Sequence, residues 1–113
     1  MPKLSDTFPT LAQELVKSLR AMGRAELAEQ IEGAIVGRVT FDNAANAGYI
    51  YVEPSRDLNV VEANIIGTRH GATIPVETQF WTNIDTDNFD RIQGIEILDP
   101  GSLKTELRRR ASG

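Results

Sequence analysis

The stretch "NIDTDNFDRIQGIEIL", residues 83–98, places three aspartates within six positions and continues into an apolar run that contains one glycine and one glutamate. Three structures suit such a stretch: a calcium-binding loop, a pair of catalytic carboxylates, or the turn and return strand of a β-hairpin. Asp and Asn favour tight turns, because their side chains bond the nearby backbone and tolerate left-handed backbone angles. The isoleucine-rich run that follows favours a strand. We therefore predict a β-hairpin.

The calcium-binding alternative fits this stretch only in part. If Asp85 takes the first position of an EF-hand loop, then Asp87 and Glu96 take the third and the twelfth, which supply ligands in such loops. The sixth position requires glycine for a sharp turn, and this chain has Asp90 there. Glu96 also lies in a β-rich run and not at the start of a helix. The sequence therefore predicts no metal site, and Asp85, Asp87 and Glu96 are the only weak candidates for one.

The apolar period of the chain changes near residue 35. Before that point, leucine and isoleucine recur at helical spacing in two segments, which end at Gly23 and Gly33, since glycine is typical of helix C-termini. The positions predicted to face the core are Leu11, Leu15, Leu19, Leu27 and Ile31. The sequence therefore predicts a pair of N-terminal helices.

Five β-rich runs, separated by turn residues, follow residue 35. They are IVGRVTFD (35–42), AGYIYVEP (47–54), LNVVEANIIGT (58–68), ATIPVETQFWTNI (72–84) and RIQGIEIL (91–98). Pro75 has no backbone donor, so its strand should lie at an edge of the sheet, or begin or bulge there. The runs at 47–54 and 91–98 carry little that would block edge pairing, and we predict that they offer open edges.

These patterns predict one α+β domain over residues 1–113. Its parts are a helical extension at 1–34, an antiparallel β-meander of about five strands at 35–99, and a short helix with a basic tail at 100–113. We expect the N-terminal helix pair to pack on one face of the sheet.

The composition is that of a globular domain, with 41% hydrophobic and 25% charged residues. The chain has no cysteine, which excludes disulfides, thiolate metal sites and a cysteine nucleophile. No stretch approaches the ~20 apolar residues of a membrane span, and we expect a cytoplasmic protein that binds no membrane. The net charge of −4 disfavours nucleic acid as a partner, with the arginines at 108–110 as the one basic exception.

Catalysis has few candidate residues. Glu96 lies among apolar neighbours, as some catalytic acids do, but we favour a cross-strand pair with Arg38 or Arg91, or a side chain at a solvated edge. His70 is the single histidine, and its glycine-rich surroundings predict a loop. We therefore predict a non-catalytic protein with no cofactor. The alternative is a small enzyme or cation-binding protein that uses the acidic residues of the 85–96 hairpin.

The aromatic residues point to binding. Phe80 and Trp81 are adjacent, so in a strand their side chains would point to opposite faces, and one of them is expected to be exposed. An exposed tryptophan is a favoured anchor in protein interfaces. The residues predicted to form an interface are Trp81, Tyr49 and Tyr51. We expect a homodimer, or a complex with another protein, in which these residues are covered.

Two elements of the chain resemble a small, widespread bacterial domain of unknown function. Its first element reads Tyr-Asp, three variable residues and Asp-Ala-x-Tyr-Ile, which is similar to "FDNAANAGYI" (41–50). Its closing element reads Val-Asp-x-Asp-x-x-Gly-x-x-x-Gly-Ile-Glu-Ile-Leu, which is similar to residues 84–98. The matching residues are Phe41, Asp42, Asn46, Ala47, Tyr49, Ile50, Asp85, Asp87 and those at 94–98. The resemblance covers residues 38–98.

The chain departs from that pattern in the length of the middle of the sheet and at two positions, where Asn46 replaces an aspartate and Asp90 replaces a turn glycine. If the acidic positions of the family bound a cation, Asn46 would weaken binding in this chain. The resemblance implies a compact β-meander with added helices and no activity. Some relatives look like antitoxin or immunity partners encoded beside toxins, and we therefore expect an accessory protein of that kind.

Overall fold

The computed structural model describes residues 2–53 and 70–112. The helices described are α1 (Leu4–Thr7), α2 (Pro9–Ala21), α3 (Ala25–Gly33) and α4 (Lys104–Ser112), and a 3-10 turn at Gly101–Leu103 leads into α4. The strands described are β1 (Ile35–Asp42), β2 (Ala47–Glu53), β3 (His70–Val76), β4 (Thr82–Asp87) and β5 (Ile92–Ile97). No helix in the described ranges is long and apolar enough to cross a membrane.

The five described strands form one antiparallel sheet in the order β1-β2-β5-β4-β3. This confirms the predicted α+β class with its antiparallel five-stranded sheet. Consecutive strands pair with each other except β2 and β3, because β2 pairs with β5 instead. The prediction of open edges at β2 and β5 is therefore wrong, since the two strands pair with each other inside the sheet. Pro75 lies in the edge strand β3, as predicted.

The single run predicted at 72–84 is two strands. Strand β3 ends at Val76 and β4 begins at Thr82, and residues 77–81 form the turn between them. His70, predicted to lie in a loop, is the first residue of β3. The β-rich run at 58–68 lies outside the described residues.

The helices cover one face of the sheet, as predicted. The five apolar residues expected in the core are fully buried, in one cluster with Ile50, Ile84 and Ile95 from the central strands. Helix α4 packs on the same face through Leu107, because a Cβ atom added to Gly48 would lie 3.0 Å from Leu107 Cδ1. The core therefore lies between the sheet and a single layer of helices.

Helix α2 ends at the predicted glycine. Gly23 has a left-handed backbone with φ +76°, which glycine adopts at low cost. Its N–H donates to the Arg20 carbonyl at 3.1 Å, and the Arg24 N–H donates to the Leu19 carbonyl at 2.8 Å. These two bonds satisfy carbonyl groups that the end of a helix leaves unpaired. Helix α3 begins two residues later, and α2 and α3 pack against each other.

The 83–98 stretch is a hairpin, as predicted, and the carboxylate of Asp87 organises its turn. Asp87 Oδ1 accepts hydrogen bonds from the Phe89 N–H at 2.8 Å and the Arg91 N–H at 2.9 Å. Its Oδ2 atom accepts a bond from Arg91 Nε at 2.8 Å. Asp90 takes a left-handed φ of +61°, a conformation that Asp tolerates better than most residues. The turn occupies 88–91, so Asp85 and Asp87 belong to β4 and not to the turn.

Helix α3 is tied to this turn by the Gln30 side chain. Gln30 Nε2 donates to the Asp90 carbonyl at 2.9 Å, and Gln30 Oε1 accepts from the Ile92 N–H at 2.8 Å. The amide thus joins the helical layer to the end of the central hairpin.

We predict that Asp87→Ala lowers the free energy of unfolding by about 2–4 kcal/mol, because it removes three hydrogen bonds and leaves the Arg91 cation without its counter-charge. Asp42→Ala is the matched control. Asp42 Oδ1 also accepts two turn N–H groups, from Ala44 at 2.9 Å and Ala45 at 3.2 Å, but it is exposed. The control should lose about 1 kcal/mol. Urea denaturation measures both, and equal losses would contradict the role given to Asp87.

Candidate functional site

The face of the sheet opposite the helices, called the outer face below, carries mostly polar and aromatic side chains. They lie in two rows of cross-strand neighbours, because the register aligns one residue from each strand. The first row is Thr40, Tyr49, Glu96, Asn83 and Pro75, and the second includes Tyr51, Gly94, Asp85 and Thr73. The predicted interface residues Tyr49 and Tyr51 are thus neighbours on one face.

The ring of Tyr49 lies over Gly94. A Cβ atom added to Gly94 would lie 2.2 Å from Tyr49 Cε1, so only glycine leaves room for the ring. The Tyr49 hydroxyl donates to Asp85 Oδ2 at 2.7 Å, and the Thr73 hydroxyl donates to Asp85 Oδ1 at 2.7 Å. Burial, followed by the hydrogen bond to Asp85 and its negative charge, raises the pKa of Tyr49 above the ordinary phenol range.

Tyr51 is more open than Tyr49 and is 40% exposed. The two rings lie 4.7 Å apart between centroids, and the Arg38 guanidinium lies 4.7 Å from the Tyr51 centroid. A guanidinium at this distance from a ring is attracted by its electron-rich face. The outer face therefore presents an arginine stacked on an accessible tyrosine.

Glu96 accepts a hydrogen bond from Asn83 Nδ2 at 2.9 Å. The prediction that Glu96 pairs with Arg38 or Arg91 is wrong. Asn83 lies directly across from Glu96 in the register, whereas Arg38 stacks on Tyr51 and Arg91 bonds Asp87. The nearest cross-strand donor thus satisfies the carboxylate.

The three acidic residues weighed as metal ligands do not converge. Asp85 and Glu96 lie on the outer face, each with hydrogen-bond donors of its own, while Asp87 is 4% exposed and bonds the hairpin turn. Within 2–53 and 70–112, no group of three His, Cys, Asp or Glu side chains is placed to hold a metal ion. Asn46 has φ +51° in the β1–β2 turn, so the turn itself favours asparagine there.

Trp81 is 68% exposed, the largest fraction among the exposed large hydrophobic side chains of the described residues, and Phe80 is 1% exposed. The prediction that one of the two aromatic residues is exposed is confirmed, but strand alternation is not the reason. Both residues lie in the 77–81 turn, and Trp81 has a left-handed φ of +50°. Bulky residues rarely adopt this conformation, because their Cβ atom crowds the backbone.

Bonds within the sheet hold Trp81 in this conformation. The Phe80 N–H donates to Thr78 Oγ1 at 3.1 Å, and the buried Thr82 hydroxyl donates to the Val76 carbonyl at 2.8 Å. The Trp81 carbonyl accepts from the Leu98 N–H at 2.9 Å. Since Phe80 is anchored in the core on one side and Thr82 on the other, the backbone between them has little freedom.

Helix α2 holds the same turn from the other side. The Glu14 carboxylate accepts the Gln79 N–H at 2.8 Å and also the Gln79 side-chain amide. The Ser18 hydroxyl donates to the Glu77 carbonyl. Side chains from one face of α2 therefore fix the turn that presents Trp81.

Trp81, Leu98 and Pro75 form an exposed apolar group, called the Trp81 patch below. Together with Asn83 they line a shallow cavity of about 490 Å³. Leu98 is 43% exposed and Pro75 is exposed. Because Pro75 and Asn83 belong to the first row of the outer face, the patch borders that face.

The sequence reasoning missed two features of this site: the Tyr49–Asp85 bond and the strained turn. Gly94 inside a strand was the available signal for the first, because an interior glycine marks the close approach of another group. The turn at 77–81 has no glycine and no proline to reveal it.

We predict that Tyr49 resists ionisation. In a Tyr51→Phe variant Tyr49 is the remaining tyrosine, and its absorbance titration should have a midpoint well above the ordinary value of about 10. The folded chain favours the protonated phenol. The contribution of Tyr49 to the free energy of unfolding should therefore be fully present below pH ~10 and should be lost as the pH rises from there through the raised midpoint. A midpoint at the ordinary value would contradict the partly buried hydrogen bond to Asp85.

We also predict that Gly94→Ala lowers the free energy of unfolding by about 1–3 kcal/mol, because the added methyl group displaces the Tyr49 ring. In a Tyr49→Ala background most of this loss should disappear, as a double-mutant cycle would measure. Gly33→Ala is the control, since a Cβ atom there meets nothing within 4 Å. It should leave stability unchanged or raise it, and an equal loss at both glycines would contradict the explanation.

The comparisons with known proteins add no relative. No family model, no curated protein and no solved structure matches this chain. The resemblance to the small bacterial domain therefore stays a prediction.

Proposed function

We propose that the protein is a non-catalytic binding module that recognises another protein surface through the Trp81 patch and the adjacent outer face. The exposed, left-handed conformation of Trp81 carries this proposal. A non-glycine residue in that conformation costs about 1–3 kcal/mol, and an exposed ring recovers little of this by burial. Because Trp81 contributes so little to the stability of the folded chain, we infer that its role is in binding a partner.

The chemistry of the surroundings supports a protein partner. Tryptophan, tyrosine and arginine are the residue types enriched where interfaces gain most of their binding energy. Trp81 borders the face on which Arg38 stacks on Tyr51. The carboxylates of Asp85 and Glu96 both accept hydrogen bonds from neighbours on that face, which argues against their use as catalytic acids or ligands. The surface is shallow, as protein interfaces are.

A second copy of the chain is the first partner that we propose. In a two-fold dimer the same patch serves both subunits, so each Trp81 would pack against its mate and leave water. An antitoxin- or immunity-type complex is the other form of the proposal. Glu77 lines the cavity of the patch and Glu96 lies opposite Asn83 in the first row, and complementary charge would attract a basic partner. A cytoplasmic location stays a prediction.

We predict that the wild-type chain sediments at about twice its 12.4 kDa mass at micromolar concentration, and that Trp81→Gly and Trp81→Ala both sediment as single chains. The two variants should differ in stability. Trp81→Gly relieves the strain of the left-handed backbone, whereas Trp81→Ala retains it. The free energy of unfolding of Trp81→Gly should therefore be about 1 kcal/mol higher than that of Trp81→Ala. Sedimentation equilibrium and urea denaturation measure these quantities.

Met22→Ser is the control for the loss of exposed apolar surface, because Met22 is 45% exposed at the end of α2. It should sediment like the wild type. A single-chain mass for the wild type would refute the dimer. The protein-binding proposal would then require a partner from the native cell. Wild type and Met22→Ser should bind that partner, and both Trp81 variants should fail to bind it. If no such partner exists, the proposal fails.

A further inference from the structure

The edge of strand β1 that points away from β2 has no partner strand along part of its length, among the described residues. It is the first strand in the sheet order and pairs only with β2 among the described strands. Its start is covered, because Lys3 bridges Ile35, the Val36 N–H donates to the Pro2 carbonyl at 2.9 Å, and the Leu4 N–H donates to the Ala34 carbonyl at 2.9 Å. The register with β2 shifts between Val36 and Val39 and is then regular to Asp42. Among the described residues, the part of this edge without a partner is therefore the second half of the strand.

Helix α4 lies beside β1 and turns this edge into a groove. Leu107 anchors the helix in the core, and α4 contacts β1. The groove has a volume of about 740 Å³ and is lined by residues 36–41 on the strand side, by 109–111 on the helix side and by Pro2 at the covered start of the strand. A sheet edge next to a helix is the geometry in which an extended peptide adds to a sheet as a further strand.

The groove is basic, although the chain as a whole is acidic. Arg38, Arg109 and Arg110 line it, and no Asp or Glu does. Arg109 and Arg110 share one counter-charge, because both guanidinium groups bond Glu106 Oε2 at 2.6 Å. The Glu53 carboxylate also lies near the groove, because a Cβ atom added to Gly37 would lie 3.7 Å from Glu53 Oε1. Three guanidinium groups against these two carboxylates leave a net positive charge, in a chain whose net charge is −4. Anions are therefore attracted to this edge and repelled from most of the remaining surface.

We infer that the groove between β1 and α4 binds an extended acidic peptide, which pairs with the open edge of β1 as a sixth strand and places Asp or Glu side chains beside Arg38, Arg109 and Arg110. Backbone hydrogen bonds to the edge supply affinity, and the arginines select the charge. This surface lies on an edge of the sheet and shares Arg38 with the outer face, but it includes no residue of the Trp81 patch, and the inference goes beyond the proposed function.

Two other occupants fit the groove less well. A second copy that paired through its own β1 would bring two sets of these arginines together, and like charges would oppose the contact. A nucleic acid would meet the positive charge but has no peptide backbone to pair with the strand edge. The peptide uses both the edge and the charge.

The test uses three fluorescein-labelled decapeptides and fluorescence anisotropy. One repeats the pairs Glu-Glu and Val-Val, so that glutamates face both sides of the sheet. The second has lysine in place of each glutamate, and the third is the acidic peptide with alternate backbone nitrogens methylated. The methylated peptide keeps the charge but cannot complete strand pairing. We expect the acidic peptide to bind at least about tenfold more tightly than either of the others. In NMR spectra of the protein, the acidic peptide should change the amide chemical shifts of residues 36–42 and 109–111 only.

The double variant Arg109→Gln/Arg110→Gln should weaken binding of the acidic peptide by about three- to twentyfold, since an exposed ion pair contributes up to about fivefold to affinity. Glutamine keeps the helix propensity of arginine. The matched control is Arg20→Gln/Arg24→Gln, which removes two arginines that form exposed ion pairs on the helical layer. Circular dichroism checks that both variants fold, and the control should bind like the wild type.

Equal binding of the acidic and the methylated peptides would overturn the inference, because charge alone would explain it. So would equal weakening by both double variants, tighter binding of a single-stranded oligonucleotide than of the acidic peptide, or a wild-type dimer that Arg109→Gln/Arg110→Gln changes. The Trp81→Gly variant should bind the acidic peptide normally. Failure of this inference would therefore leave the proposed function untouched, and the reverse also holds.

Discussion

The buried carboxylate of Asp87 is the interaction on which the sheet depends. It fixes the turn of the β4–β5 hairpin, and β5 is the strand that pairs with β2, so the hairpin joins the two halves of the sheet. The same turn receives helix α3 through Gln30. Because one carboxylate satisfies two backbone N–H groups and the Arg91 side chain, local turn chemistry and long-range assembly are coupled at a single residue.

The two faces of the sheet have different physical tasks. One face is covered by helices and holds the apolar core, which is where burial stabilises the fold. The other is held by polar contacts between neighbouring strands, of which the Tyr49–Asp85 and Asn83–Glu96 bonds are the clearest. Side chains on this second face are fixed without being covered. A surface that is rigid before it binds loses less conformational entropy on association, which favours recognition.

The backbone of the 77–81 turn is fixed by both the helical layer and the sheet. Glu14 and Ser18 of α2 form hydrogen bonds with this turn, and the Leu98 N–H, just after β5, donates to the Trp81 carbonyl. The helical layer and the sheet thus both support the turn. Those supports maintain a left-handed tryptophan that its own local preference opposes. Strain of this kind persists only where the surrounding structure fixes it, and it concentrates at functional positions.

Much of the fold could be predicted from residue types with a single strong preference. Leucine spacing gave the helices, Gly23 and Gly33 marked their ends, and the aspartate cluster marked the hairpin. The strand order could not be predicted, because alternation shows which face a residue occupies but not which strand lies beside it. The Glu96 partner was missed for the same reason, since it depends on the register with Asn83. The turn at Trp81 was hidden because tryptophan is the opposite of what a left-handed position favours.

The account holds that Trp81 stands in water in the free chain and is buried only when the protein associates. Trp81 is the only tryptophan, so the intrinsic fluorescence of the chain reports on it alone. On dilution from high micromolar to nanomolar concentration, we expect the emission to shift to longer wavelength and acrylamide quenching to rise, while circular dichroism stays constant. A buried, poorly quenched tryptophan at every concentration would contradict the account.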